Sequence, residues 1–313
     1  MIMIVIMEPR WRVVLTGLVL LPALLSGCGI SGNGRASDGR ILAVGAENQY
    51  ADVIRQVGGT YVDVSSILSN PAIDPHTFEA SPSIARKIAE AGLIVQNGLG
   101  YDEFIDQLEQ ATASSSRHVI TVQHLLGKPD STPNPHLWYD PATMPKVARA
   151  IATELGQIDP EHRAVFEQNA QAFIASLHEW KDALAQVASR YPRGAVATTE
   201  PVADYLIDAA GLNNLTPWSF QEAVMTGSDP SPQDVATLQH LFKSHQIKAF
   251  IYNQQVTDSL TTSFADLAKA NGIPIVGVYE TMPTPGYTYQ SWMLAETRAI
   301  ANALATGRSA STL

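Results

Sequence analysis

From Arg40 onward, short apolar runs alternate with amphipathic stretches, and the alternation recurs on both sides of one long amphipathic segment. In the first half, strands are expected at 41–44, 62–68, 93–96 and 118–122, with helices over 50–57, 83–90 and 101–110. In the second half the strands fall at 195–199, 247–252 and 273–279, and the helices at 202–210, 259–270 and 289–305. Strands separated by helices are joined by crossovers, so the pattern predicts an α/β fold with parallel sheets. A chain of 313 residues exceeds what one core usually supports, which predicts two lobes.

The segment between the halves carries strong helix signals. Asp159 can cap it, Pro160 suits the first turn, and Glu161 complements the dipole. Apolar residues follow at Phe166, Phe173, Leu177, Trp180, Leu184 and Val187, in steps of 7, 4, 3, 4 and 3 that keep one face apolar. A helix running to Arg190 would form a rod of about 45 Å, long enough to touch both lobes. The expected division is therefore an N-terminal lobe at 40–157, a linking helix at 158–191 and a C-terminal lobe at 192–313.

The first 39 residues read differently. Arg10 and Arg12 precede a thirteen-residue apolar run, Val13 to Leu25, too short for a membrane span of ~20 residues. A basic start, a short apolar centre and small residues beyond it describe an export signal over 1–27, with Met7 an alternative start. The run ends in Leu25-Ser26-Gly27-Cys28, which resembles the lipobox of bacterial lipoproteins. That resemblance implies cleavage before Cys28 and acylation of its thiol, hence an anchor in the outer face of the bacterial cell membrane. Residues 28–39 are rich in Gly and Ser and read as the lipidated cysteine and a flexible tether.

Composition excludes several classes. With 30 acidic against 20 basic residues and no Lys/Arg-rich run, the chain lacks the basic face of a nucleic-acid binder. A single cysteine rules out an intramolecular disulfide and a cysteine-based zinc cluster. No HExxH, GxSxG or P-loop motif is present, which argues against the enzymes those motifs serve.

Four residues stand out chemically. His76 lies in Asp74-Pro75-His76-Thr77-Phe78-Glu79, and His136 in Asn134-Pro135-His136-Leu137-Trp138-Tyr139-Asp140-Pro141. Each follows a proline, which stiffens its loop. Glu200 and Glu280 end the strands at 195–199 and 273–279. Ligands of open α/β sheets bind beyond the carboxyl ends of strands, so two imidazoles and two carboxylates, a set suited to a divalent metal, could meet between the lobes. Each has an ordinary alternative: a turn histidine bonded to backbone, a helix-start acid for Glu200, and a solvated loop acid for Glu280. The other histidines, at 118, 124, 162, 178, 240 and 245, read as structural, the third and fourth on the long helix and the last two on a helix near 238–242.

Taken together, the DPHTFE and NPHLWYDP motifs, the two strand-end glutamates, the lipobox and the central helix resemble the metal-binding lipoproteins of zinc and manganese ABC importers, the cluster A-I solute-binding proteins. The resemblance spans the expected mature chain. It implies two (β/α)4 lobes joined by one long rigid helix, with a metal ion held in the interlobe cleft by His76, His136, Glu200 and Glu280. In the family the third ligand is Glu or His and the fourth usually Asp, so Glu280 adds one methylene there. It further implies a monomer without enzymatic activity that delivers its ion to a membrane permease and an ATPase.

Carboxylate oxygens suit Mn2+ better than an all-imidazole set would, although Zn2+ generally binds more tightly. Zinc carriers of the family often insert a His-rich loop between the first two ligands, whereas residues 77–135 contain only His118 and His124. The expected cargo order is thus Mn2+, then Zn2+, then Fe2+. The competing readings are a metal-dependent hydrolase and a binder of a larger chelate or an adhesin, with Trp138, Trp218 and Trp292 available for stacking.

Overall fold

The computed structural model describes residues 34–72, 78, 80–283 and 285–313. Cys28 and His76 lie outside the described residues. The chain order is β1 (Ile41–Glu47), α1 (Asn48–Gly58), β2 (Val62–Leu68), α2 (Pro82–Glu90), β3 (Leu93–Gln96), α3 (Glu103–Ala111), β4 (His118–Thr121), α4 (Val122–Leu125) and α5 (Thr143–Ile158). Then come α6 (Arg163–Ser176), α7 (His178–Arg190), β5 (Ala195–Thr198), α8 (Asp204–Ala209), β6 (Asn213–Asn214), α9 (Trp218–Met225), α10 (Pro232–Lys243), β7 (Ala249–Asn253), α11 (Ser259–Ala270), β8 (Ile275–Val278) and α12 (Tyr289–Thr306).

The strands form two four-stranded parallel sheets, ordered β2-β1-β3-β4 and β6-β5-β7-β8. Helices cover both faces, so the inner strands β1, β3 and β7 and the edge strand β8 are buried almost throughout and read as continuous apolar runs. In each sheet the strand order reverses between the first and third strands, β1/β3 and β5/β7. Such switch points open a crevice at the carboxyl ends of the strands.

One apolar cluster runs from the first sheet through Trp138, Phe166 and Trp180 to Trp292 and Met293 of α12, so the two lobes share a core. The connector differs from the single rod expected. A tight helical turn at Pro160–His162 leads into α6, and the helix breaks at Leu177 before α7. The Ser176 hydroxyl donates to the Phe173 carbonyl at 2.7 Å, and Leu177 N–H bonds Ile174 O at 3.3 Å, three rather than four residues back. This side-chain competition for the backbone interrupts the α ladder. The break falls where allegiance changes: α6 packs on α1 and α5 of the first lobe, and α7 on α12 and α8 of the second.

Other positions also depart from expectation. His162 lies in the tight turn, and His245 lies past the end of α10 with φ 51°, off any helix. Residues 34–39, read as tether, are pinned to the first lobe. Gly34 O accepts from Leu42 N, Arg35 bridges Ile41, and a Cβ on Gly34 would sit 2.7 Å from Gly92 Cα, a spacing only two glycines allow. Among the described residues no helix is long and apolar enough to cross a membrane.

Candidate metal centre

His136 follows Pro135 and precedes a tight turn, Leu137–Tyr139, closed by Tyr139 N–H on the His136 carbonyl at 3.1 Å. The Asn97 amide, at the end of β3, donates to Pro135 O at 2.8 Å and ties this loop to the sheet. The imidazole is fully buried, edge-on to Tyr101 and Trp138. Asn134 Oδ1 accepts from both the backbone N–H and the ring Nδ1–H of His136, at 3.0 and 2.8 Å. Asn134 Nδ2 donates to Pro201 O, so the amide orientation is settled and the ring proton sits on Nδ1. Nε2 therefore carries a lone pair, the form of imidazole that binds metals.

Glu280 follows β8 and is fully buried. Its backbone is held from both lobes: Glu280 N and Thr281 N donate to Gln255 Oε1 at 2.7 and 2.8 Å, and Gln49 Nε2 donates to Glu280 O at 3.2 Å. Its Oε2 accepts from the Tyr101 hydroxyl at 2.9 Å and stands 3.4 Å from His136 Nε2. Burial, and secondarily the Glu280 charge, push the Tyr101 phenol well above its usual range, so it stays a donor. Tyr101 reaches this point through a left-handed turn, Gly98-Leu99-Gly100, with φ of 83°, 57° and 77°. The turn is stapled by Asp102, whose carboxyl accepts from Asn97 N and Gly98 N at 2.6 and 2.8 Å.

Glu200 follows β5 and is 2% exposed. The Asn253 amide at the end of β7 donates to Glu200 Oε1 at 3.2 Å and to Glu280 Oε1 at 2.7 Å, linking the two acids. The described residues thus bring His136 and Glu280 into contact and hold Glu200 one amide away. Among them, no group of three or more His, Cys, Asp or Glu side chains forms a metal-holding cluster.

A His136–Glu280 separation of 3.4 Å matches a shared ion. Two donors each about 2.1 Å from one centre are ~3.4 Å apart at a tetrahedral angle and ~3.0 Å apart at a right angle. More acid lies behind the site. Glu47, at the end of β1, is fully buried, and neither of its oxygens has a hydrogen-bond partner among the described residues. Burial, reinforced by Asp102, pushes its carboxyl well up, while burial raises Asp102 to about 7 against the two N–H bonds it accepts. Both carboxyls are thereby shifted toward the neutral form, which lessens the negative charge behind the site.

Sequence reasoning missed Tyr101, Gln255 and Asn253. The last immediately follows the run expected at 247–252, and the rule that placed Glu200 and Glu280 at strand ends applies to it equally. Three of the remaining histidines have ordinary partners: His118 with Glu154 at 2.6 Å, His162 with Asp159 at 2.9 Å, and His178 with Asp182 at 3.3 Å. Trp138 and Trp292 are fully buried in the core, which removes them as stacking platforms for a large ligand. A cavity of about 320 Å3 lies between the lobes beside the site, with Leu99, Tyr101 and Pro135 on one wall and Val224, Met225 and Val256 on the other.

Two lobes of parallel sheet thus bring a buried imidazole from the first together with buried carboxylates from the second. The family described as ZnuA, zinc-uptake complex component A, periplasmic, matches residues 44–303. The chain belongs to this family, the metal-binding solute-binding proteins of zinc and manganese ABC importers. It is 24% identical over 262 residues to the manganese-binding lipoprotein MntA of Bacillus subtilis, covering 79% of this chain and 82% of that one. It is likewise 24% identical over 260 residues to the manganese ABC transporter substrate-binding lipoprotein PsaA of Streptococcus pneumoniae, covering 77% and 81%. The fold matches the periplasmic zinc-binding protein TroA of Treponema pallidum, with TM-score 0.72 and 20% identity over 86% of this chain and 100% of that one.

Proposed function

We propose that this protein captures a divalent transition metal ion outside the cytoplasm and hands it to an ABC permease with its ATPase. It acts as a monomer without turnover chemistry, tethered to the membrane through acylated Cys28. The ion's ligands are His136, Glu280 and Glu200, joined by His76 from beyond the described residues. The observation that carries this reading is the His136–Glu280 contact: an imidazole lone pair meeting a carboxylate oxygen at 3.4 Å, both fully buried. Such a pair is costly without a proton or a cation between its members. The relatives' names, manganese-binding for MntA and zinc-binding for TroA, support a cargo of this class. The sequence's preference for manganese rests on donor type and the absence of a His-rich loop.

Four protein donors would also fill a tetrahedral ion and leave no position for the activated water a hydrolase needs. Calorimetric titration of metal-stripped protein with Mn2+, Zn2+ and Fe2+ tests the function. One ion should bind per chain, and His136→Ala should lose at least ~10-fold in affinity, since even partners of ligands cost that much. Unaltered binding by His136→Ala would remove the site.

A further inference from the structure

We infer that Glu47 is a positioning residue for the bound ion: a neutral carboxylic acid whose hydroxyl bonds the Asp102 carboxylate and so clamps the turn that delivers Tyr101 to Glu280. The role in ion binding rests on the metal-carrier reading above. Glu47 closes β1 and is 0% exposed. Strands β1 and β3 pair from Ala43 beside Leu93 to Gly45 beside Val95, which brings Glu47 level with Asn97. Among the described residues, neither Glu47 oxygen has a donor to accept from. The side chain it faces is the Asp102 carboxyl, another acceptor. Two acceptors in a dry interior form a bond only when one of them carries a proton.

That proton belongs on Glu47. Asp102 already accepts from Asn97 N at Oδ2 and Gly98 N at Oδ1, at 2.6 and 2.8 Å, two bonds that favour its charged form. A Glu47 hydroxyl meeting the Asp102 carboxylate makes a charge-assisted bond, shorter and stronger than one between neutral groups. Burial, and secondarily the Asp102 charge, push the Glu47 carboxyl well up, in agreement. Tyr50 of α1 and Tyr101 also face Glu47, and burial pushes both phenols well up, so they stay neutral.

The turn needs such a clamp. Gly98, Leu99 and Gly100 all have positive φ, and Leu99, at 57°, sits in a region a branched side chain keeps only where its surroundings fix it. Tyr101 follows directly and donates to Glu280 Oε2 at 2.9 Å. Asn97, just before the turn, donates to Pro135 O at 2.8 Å, next to His136. Asp102, with Glu47 behind it, thus holds the backbone from which both of these bonds depart. Glu47 acts on the ion through this backbone and Tyr101.

The test compares Glu47→Gln and Glu47→Ala with wild type, by infrared spectroscopy of ion-free protein and by Mn2+ and Zn2+ affinities from chelator competition. The spectrum of wild type minus Glu47→Gln at neutral pH should contain the C=O stretch of a protonated carboxyl. The Gln amide can still donate to Asp102, so this variant should bind both ions nearly as tightly as wild type. Glu47→Ala leaves Asp102 without that donor and should bind both about 10-fold more weakly, the lower end of losing a ligand's partner. Carboxylate bands in place of the protonated one would overturn the inference even if Glu47→Ala failed to fold. So would a Glu47→Gln as weak as Glu47→Ala, or a folded Glu47→Ala with wild-type affinity. Wild-type protein that binds neither Mn2+ nor Zn2+ would overturn the carrier reading and the positioning role with it, while the infrared band would still decide the Glu47–Asp102 bond.

Discussion

The Tyr139 hydroxyl stands 2.7 Å from Glu296 Oε2 and an equal 2.7 Å from the Tyr279 carbonyl, joining the loop after His136 to the second lobe. One hydroxyl proton cannot serve two acceptors. The bonds close if Glu296 is the neutral acid and donates from Oε2, leaving Tyr139 to donate to Tyr279 O. Glu296 Oε1 then accepts from Trp292 Nε1 at 2.7 Å and Tyr279 N at 3.3 Å. Burial, opposed by these donors, raises the Glu296 carboxyl to about 8.

A pH dependence follows from that proton. The native state keeps it up to about 8, while the unfolded chain releases it near the ordinary 4.5. Between those values the native state binds more protons, so stability falls as pH rises, by at most about 1.4 kcal/mol per pH unit from this group. Glu296→Gln is neutral throughout and removes this group's part of the slope. Urea unfolding at pH 5.5 and 7.5 should show the variant gaining about 2 kcal/mol on wild type between the two. A wild-type slope retained in the variant would mean Glu296 is ionised in the fold.

Asn134 determines which nitrogen of His136 faces the ion. Asn134→Ala removes the acceptor for Nδ1–H and frees the ring to change tautomer or rotate. Metal affinity should drop by ~10–100-fold, the usual cost of losing a ligand's hydrogen-bond partner. Circular dichroism should report an unchanged fold, since neighbouring Pro135 O keeps its bond from Asn97. Affinity within a factor of two of wild type would show that packing against Tyr101 and Trp138 suffices to orient the ring.

Much of this architecture is visible in the sequence because its signals are local. The strands Val62–Leu68 and Leu93–Gln96 and the helix Ser259–Ala270 coincide with their apolar runs. Helix α5 also carries a helical spacing, Met144, Val147, Ala148, Ile151, Ala152 and Leu155, although it lies outside the helices expected for the first half. Strand β6, Asn213–Asn214, has no apolar side chain and exists only through pairing with β5. The break at Leu177 leaves the apolar period intact, since a single Ser176 hydroxyl produces it. Within the site, His136 and the strand-end acids are legible as chemistry. Asn253, Tyr101 and Gln255 matter through partners 25 to 179 residues away, which no local pattern encodes.

Asn48 clasps the loop that carries Glu280. Its Nδ2 donates to Met282 O at 2.7 Å and its Oδ1 accepts from Met282 N at 2.9 Å, a two-bond contact between the lobes. The site is fully buried, so an ion leaves only when such contacts part. Asn48→Ala strands two buried backbone groups at a cost of about 1–3 kcal/mol each unless water reaches them. Stopped-flow release into excess chelator should be at least ~10-fold faster than from wild type, one decade corresponding to about 1.4 kcal/mol. Equal rates would place the exit barrier elsewhere.

Ion binding should also be readable as stability, because the unfolded chain has no site to offer. A ligand at 100 times its dissociation constant adds about 2.7 kcal/mol, and at 1,000 times about 4.1. For a chain of this size each kcal/mol moves the melting temperature by about 2–4 °C, so saturating ion should raise it by roughly 5–15 °C. Removing the ion with a chelator should return the melt to the lower value. In His136→Ala the rise should shrink to a few degrees or vanish, while the ion-free melt changes in proportion to the lost packing against Tyr101 and Trp138 alone. A full ion-dependent rise in His136→Ala would mean the stabilising ion sits away from the His136–Glu280 pair, whatever the family resemblance implies.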